Sequence, residues 1–154
     1  MTGESLEHQK EKEMEIRDFE ARIDSMLSEG YALWNGFGLE PLGDEELHFV
    51  PDRVYFCCSG RHRENLAAAC QSFYLFRRLH FMTEAGPEQT TLLGDYFFSR
   101  FSRYLIPIDS TRLTDRFSEY LKQDAQEGAG GRRTFSKEAY ARFIREISGM
   151  EELC

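Results

Sequence analysis

The chain has 154 residues, 27 acidic and 19 basic, for a formal net charge of −8. That length suits one ordinary domain and excludes a TIM barrel or a two-domain enzyme of usual size. A hydrophobic content of 41% excludes wholesale disorder, and the acidic balance excludes a general nucleic-acid binder, which needs a basic surface to displace counterions. No apolar run approaches the ~20 residues that cross a bilayer. The Glu- and Lys-rich start carries no apolar signal core, so the cytoplasm is the expected compartment. Cys57, Cys58, Cys70 and Cys154 fit neither a C-x-x-C redox pair nor a zinc half-site, and Cys154 is not placed for prenylation. They read as reduced thiols, with Cys70 a small core residue. Val50 and Val54 are the only valines. A sheet wants β-branched residues, so the expected fold class is all-α, a single helical domain over residues 1–154.

In chain order, the first helix covers residues 4–29, with one apolar stripe of Ile16, Phe19, Ile23, Met26 and Leu27. Residues 1–15 have almost no apolar face and are expected to fray or to lie against a partner. Gly30 reads as the C-cap. Residues 30–60 are broken by Gly and Pro; a short helix from about Asp44 is expected, and RVYFCC at 53–58 is either a buried helical turn or a short strand. A strong helix follows at 61–82, with Leu66, Cys70, Phe73, Phe76, Leu79 and His80 at helical spacing, until Gly86–Pro87. The next runs over 88–106 and is apolar around much of its girth, which places it at the centre or at an interface. Pro107 ends it. Asp109 or Ser110 caps a helix to about Glu127, buried through Leu113, Phe117, Tyr120 and Leu121. After the loop GAGGRR, Ser136 caps the last helix, with Phe135 and Tyr140 as a hydrophobic staple. Its face is Tyr140, Phe143, Ile144 and Ile147.

His8, His48, His62 and His80 are scattered, with no H-x-x-x-H or H-E-x-x-H pattern, so no metal site is expected. His80, on an apolar helix face, reads as a core histidine. Gly128–Gly131 joins two helices and lacks G-K-[ST], so it reads as a connector. Arg61, Arg63, Arg77, Arg78, Arg100, Arg103, Arg112 and Arg116 read as a solvated face or as partners of Glu rather than an anion site. The stretch 92–101, LLGDYFFSRF, is more informative. Gly94 within a helix costs about 1 kcal/mol relative to Ala, which makes sense where another helix comes close. Asp95 follows, then Tyr96, Phe97, Phe98 and Phe101. By physics alone this is a tightly packed helix.

The run L-L-G-D-Y-F-F-S-R resembles the helix of trans-polyprenyl diphosphate synthases that reads L-x-G-D-x-L-x-x-x-A. The order of neighbours agrees over about residues 61–153. A helix ending in a Leu-His-like pair comes before it, here Leu79–His80, and a Gly-containing loop and a helix opening near a Tyr come after it, here Gly128–Gly131 and Tyr140. The resemblance implies the N-terminal half of that fold. The departures from it are chemical. Catalytic members carry D-D-x-x-D after the His, where clustered carboxylates hold Mg²⁺. This chain reads FMTEAGPEQ there, with only Glu84 and Glu88. The family's Lys-Thr position falls on Ile147–Ser148, and the chain reaches Cys154 before the second Asp-rich motif.

The pattern is similar to the small, non-catalytic subunit of bacterial heterodimeric hexaprenyl and heptaprenyl diphosphate synthases. The resemblance implies no catalytic residue and no cofactor on this chain, with Mg²⁺ on a catalytic large-subunit partner. It also implies a role in setting product length for quinone side chains. Gly94 and Asp95 would then be a helix-packing motif. Tyr96, Phe97, Phe98, Phe101 and His80 would be an interface or a product-tunnel wall. Two other readings stand beside it. One is a homodimeric scaffold or adaptor with an eroded fold of this kind; the other is an unrelated all-α adaptor that binds through its acidic first helix.

Overall fold

The computed structural model describes residues 3–82, 86–131 and 134–153. Among them the chain forms seven α-helices, no strand and a closing 3-10 turn at Glu151–Leu153. The helices are α1 Gly3–Met26, α2 Ser28–Gly36, α3 Asp44–Cys57, α4 Arg63–His80, α5 Pro87–Leu105, α6 Thr111–Ala129 and α7 Lys137–Ser148. The fold is an all-α bundle. Glu84, Arg132, Arg133 and Cys154, singled out above, lie outside the described residues.

Local chemistry explains most of the boundaries. Ser110 accepts a hydrogen bond from the Leu113 N–H at 3.1 Å and so caps α6. Asp109, beside it, takes a left-handed φ of +52° to make the turn. Ser136 caps α7 through the Ala139 N–H at 3.2 Å, and the Phe135 and Tyr140 rings meet at 5.5 Å as the staple requires. Pro87 opens α5 at its first turn, where a missing N–H costs nothing.

One expectation changes, and one open reading is decided. Gly30 is not a C-cap. The backbone ladder carries on through Leu27, which donates to the Ile23 carbonyl at 3.1 Å and accepts from the Tyr31 N–H at 3.0 Å. Gly30 lies inside α2 because a Cβ there would come within 2.7 Å of Phe97 Cε1 and 3.0 Å of Tyr96 Cε1. Residues 53–57 are helix rather than strand, the last turns of α3, whose buried face is Val50, Pro51 and Val54. Both valines therefore sit in a helix, and Pro51 is tolerated within it.

The centre of the bundle is α4. Every residue from Leu66 to Leu75 is buried. Small side chains at Ala67, Ala68, Ala69, Cys70 and Ser72 let neighbours approach from several sides. α5 packs along it most extensively, α3 and α1 lie on other sides, and α7 rests on α3. Phe73 is the hub of the core: its ring lies 5.0 Å from Phe101, 5.2 Å from Phe117, 5.9 Å from Tyr120 and 6.0 Å from Tyr140. Burying one such ring is worth about 1.5–3 kcal/mol before geometry is counted.

Polar ties fix the outer helices to this core. The Tyr140 hydroxyl donates to the Cys70 carbonyl at 2.6 Å, joining α7 to α4. Arg77 Nε donates to Asp124 Oδ2 at 2.6 Å, both side chains almost fully buried, joining α6 to α4. Trp34 donates to the Glu40 carbonyl at 2.9 Å and pins the loop after α2. The three described thiols are free: Cys57 is exposed, whereas Cys58 and Cys70 are buried. Cys58 Sγ lies 3.9 Å from the Leu153 carbonyl in the closing turn.

Candidate grooves around α4 and α5

The end of α4 and the first half of α5 enclose a groove of about 590 Å³, which brings His80, Gly94 and Asp95 together. Phe76, Leu79 and Met82 supply its apolar surface, and Thr90 and Thr91 its hydroxyls. His80 is exposed here and is not a core histidine, because on the last turn of α4 it faces the open groove while Arg77 and Leu79 turn inward. Burial and then the nearby Arg77 guanidinium push its pKa below the ordinary histidine value, so the imidazole is neutral at pH 7. A Cβ at Gly94 would meet Phe76 Cδ1 at 3.7 Å, an ordinary contact. The tight approach to α5 is at Gly30 instead.

The aromatics of α5 part company. Phe97 turns inward: it is fully buried, edge-on to Trp34 at 6.3 Å and pressed on Gly30, and it lines neither groove. Tyr96 faces α2 and accepts from Arg100 Nε at 3.1 Å, while Arg100 also holds Glu29 at 2.9 Å. Phe98 and Phe101 line a second groove of about 450 Å³ between α5 and α6. Its floor is Phe73, Phe101 and Phe117, with Phe101 and Phe117 rings 4.8 Å apart. Phe98, 40% exposed, forms one wall with Ile106, and Ser102, Thr114 and Ser118 edge it.

Sequence reasoning missed the α6 side of this groove, because the pairing of Phe101 with Phe117 has no local signal. Ile147 and Ser148 are buried, the Ser148 hydroxyl donating to the Ile144 carbonyl at 2.6 Å, so neither reaches a groove.

The arginines spread over separate acids. Arg112 pairs with Glu152 and Arg116 with Glu146, at 2.9 and 2.8 Å. Arg78 pairs with Glu46, which also accepts from the Tyr74 hydroxyl at 2.6 Å and pairs with Lys137 at 3.2 Å. Burial alone would raise the Glu46 pKa, but Tyr74, Arg78 and Lys137 outweigh it and hold the carboxyl below its ordinary value. A further polar cluster joins α1 to α3: His48 lies 3.0 Å from Asp24 and 3.6 Å from Glu20. Burial, and a carboxyl–carboxyl hydrogen bond with Glu20, push Asp52 beside them up to about 7. Among the described residues, no group of three or more His, Cys, Asp or Glu is placed to hold a metal ion, and no helix is long and apolar enough to cross a membrane.

No protein-family model, curated protein or solved structure matches the chain.

Proposed function

We propose that this chain is the non-catalytic subunit of a trans-polyprenyl diphosphate synthase in the cytoplasm. It pairs with a catalytic subunit and helps to set product length in isoprenoid quinone biosynthesis. The observation that carries the reading is the meeting of His80 with Gly94 and Asp95 across one groove, since these residues carry the resemblance and lie on consecutive helices. The described lining of that groove holds a neutral imidazole and one carboxylate, with no Lys or Arg. Such a lining repels a diphosphate, so Mg²⁺ and diphosphate chemistry belong to the partner. Phe98 and Phe101 are the residues of this chain that would wall an apolar product, because their groove is apolar and open. Phe97, packed inside, has no such part.

The test is co-expression with a D-D-x-x-D-bearing synthase from the same organism, followed by assay with allylic diphosphate, isopentenyl diphosphate and Mg²⁺. The expected result is a complex that makes long prenyl diphosphates, with neither chain active alone, and a shifted product length for Phe98→Ala. A catalytic chain that is fully active by itself and forms no complex sinks the reading.

A further inference from the structure

The outward face of α5 is unpartnered and carries its own symmetry. Leu92 and Ser99 on α5, and Ile106, the helical-conformation residue that caps its end, recur every seven residues and lie along one line. Leu92 is 61% and Ile106 72% exposed, each a large apolar side chain in water. Ser99, midway between them, and Ser102, one turn further on, are exposed and small. Asp95 and Arg103 flank Ser99 at equal distances along the helix, on opposite sides of the line and with opposite charge. Both are exposed, and neither has an ion pair among the described residues.

We propose that this face is an isologous interface between two copies of the chain, with the α5 helices antiparallel and Ser99 at the twofold axis. That axis brings Leu92 of one copy onto Ile106 of the second copy, and Asp95 onto Arg103, each contact occurring twice. The small serines at the crossing let the backbones approach. A parallel arrangement would set Asp95 against Asp95 and Arg103 against Arg103, so charge selects the antiparallel one. Phe98 borders the face and adds apolar area. One helix face buries less than the ~800 Å² per partner of a standard stable interface, which places this dimer in the transient class. The dimer needs no catalytic subunit.

Sedimentation velocity on the full chain over about 1–200 µM tests it. Wild type is expected to pass from monomer to dimer across that range. Ile106→Glu is expected to stay monomeric throughout with unchanged helical circular dichroism, since the site is exposed. Asp95→Arg and Arg103→Glu each replace two attractive contacts with two repulsive ones and are expected to weaken the dimer at least about tenfold. The double reversal, Asp95→Arg with Arg103→Glu, re-forms both pairs with exchanged sign and is expected to recover affinity to within about threefold. A wild-type chain that stays monomeric overturns the proposal. So does a dimer that Ile106→Glu leaves intact, or single reversals that the double reversal fails to rescue.

Discussion

α4 and α5 are neighbours of almost equal length, 18 and 19 residues, and both are rich in Phe and Leu. Their fates differ. α4 is enclosed over ten consecutive positions, Leu66 to Leu75, whereas α5 buries one side and leaves Leu92, Phe98 and its capping residue Ile106 largely in water. Small residues make the difference. Ala67–Ala69, Cys70 and Ser72 thin α4 so that helices close around it, while the bulk of α5 keeps α6 at side-chain distance and leaves a groove. Apolar content along a helix does not by itself say which helix is central; the size of the side chains between the large ones does.

The comparison can be broken most forcefully through the buried ion pair of α4. Asp124→Ala leaves Arg77 charged and enclosed, and should cost about 3–5 kcal/mol, read as a lowered urea midpoint. An effect under about 1 kcal/mol would mean that α6 is not anchored there. Size comes next. Ala68→Leu has no space at the middle of α4 and should cost about 1–3 kcal/mol, whereas Ser99→Leu on the open face of α5 should stay within about 0.5 kcal/mol. Equal losses in thermal unfolding would erase the distinction drawn between the helices.

The two glycines give a smaller contrast of opposite sign. Gly30→Ala drives a methyl into Phe97 and should lose about 1–2 kcal/mol in spite of better helix propensity. Gly94→Ala fits beside Phe76 and should gain about 0.5–1 kcal/mol. Matching signs would contradict the close approach assigned to Gly30.

The last effect is one of pH. The Asp52 carboxyl ordinarily titrates near 3.8 and in the fold at about 7. The folded state binds that proton more tightly, so this contribution is full below about pH 4 and is lost as pH rises through about 7. His48, lowered by burial but raised by more through Asp24 and Glu20, follows the same sign: its contribution is full below 6.5 and lost above its raised value. Asp52→Asn should therefore stabilise the chain at about pH 8 by about 1 kcal/mol, solvent screening allowed for, and flatten the decline in melting temperature between about pH 5 and 8.

What the sequence carries locally was legible in it. Ser110, Ser136 and the Phe135–Tyr140 staple act within a few residues, and they mark helix starts that the structure repeats. Gly30 was misread because its reason lies at Phe97, far along the chain, and a glycine after an apolar stripe looks like any C-cap. RVYFCC stayed open between helix and strand because a short apolar run has no period of its own. His80 keeps helical spacing with buried residues, yet it falls on the open side of the last turn, where Arg77 and Leu79 are buried and it is not. The α4–α5 groove around His80, Gly94 and Asp95 follows from the two helices being consecutive. The split of Phe97 from Phe98 and Phe101 depends on where α2 and α6 pack, and no residue near them announces it.

The three described cysteines give the chain a set of internal clocks. Cys57, exposed, meets an alkylating reagent without any opening of the fold. Cys58, its immediate neighbour, is buried 3.9 Å from the Leu153 carbonyl and is reached only when the structure around it opens. Cys70 lies in the enclosed stretch of α4, where burial pushes its thiol pKa far up, so it is labelled only when the bundle itself opens. Mass-resolved labelling of one sample therefore separates local opening around Cys58 from global unfolding, with no residue introduced for the purpose.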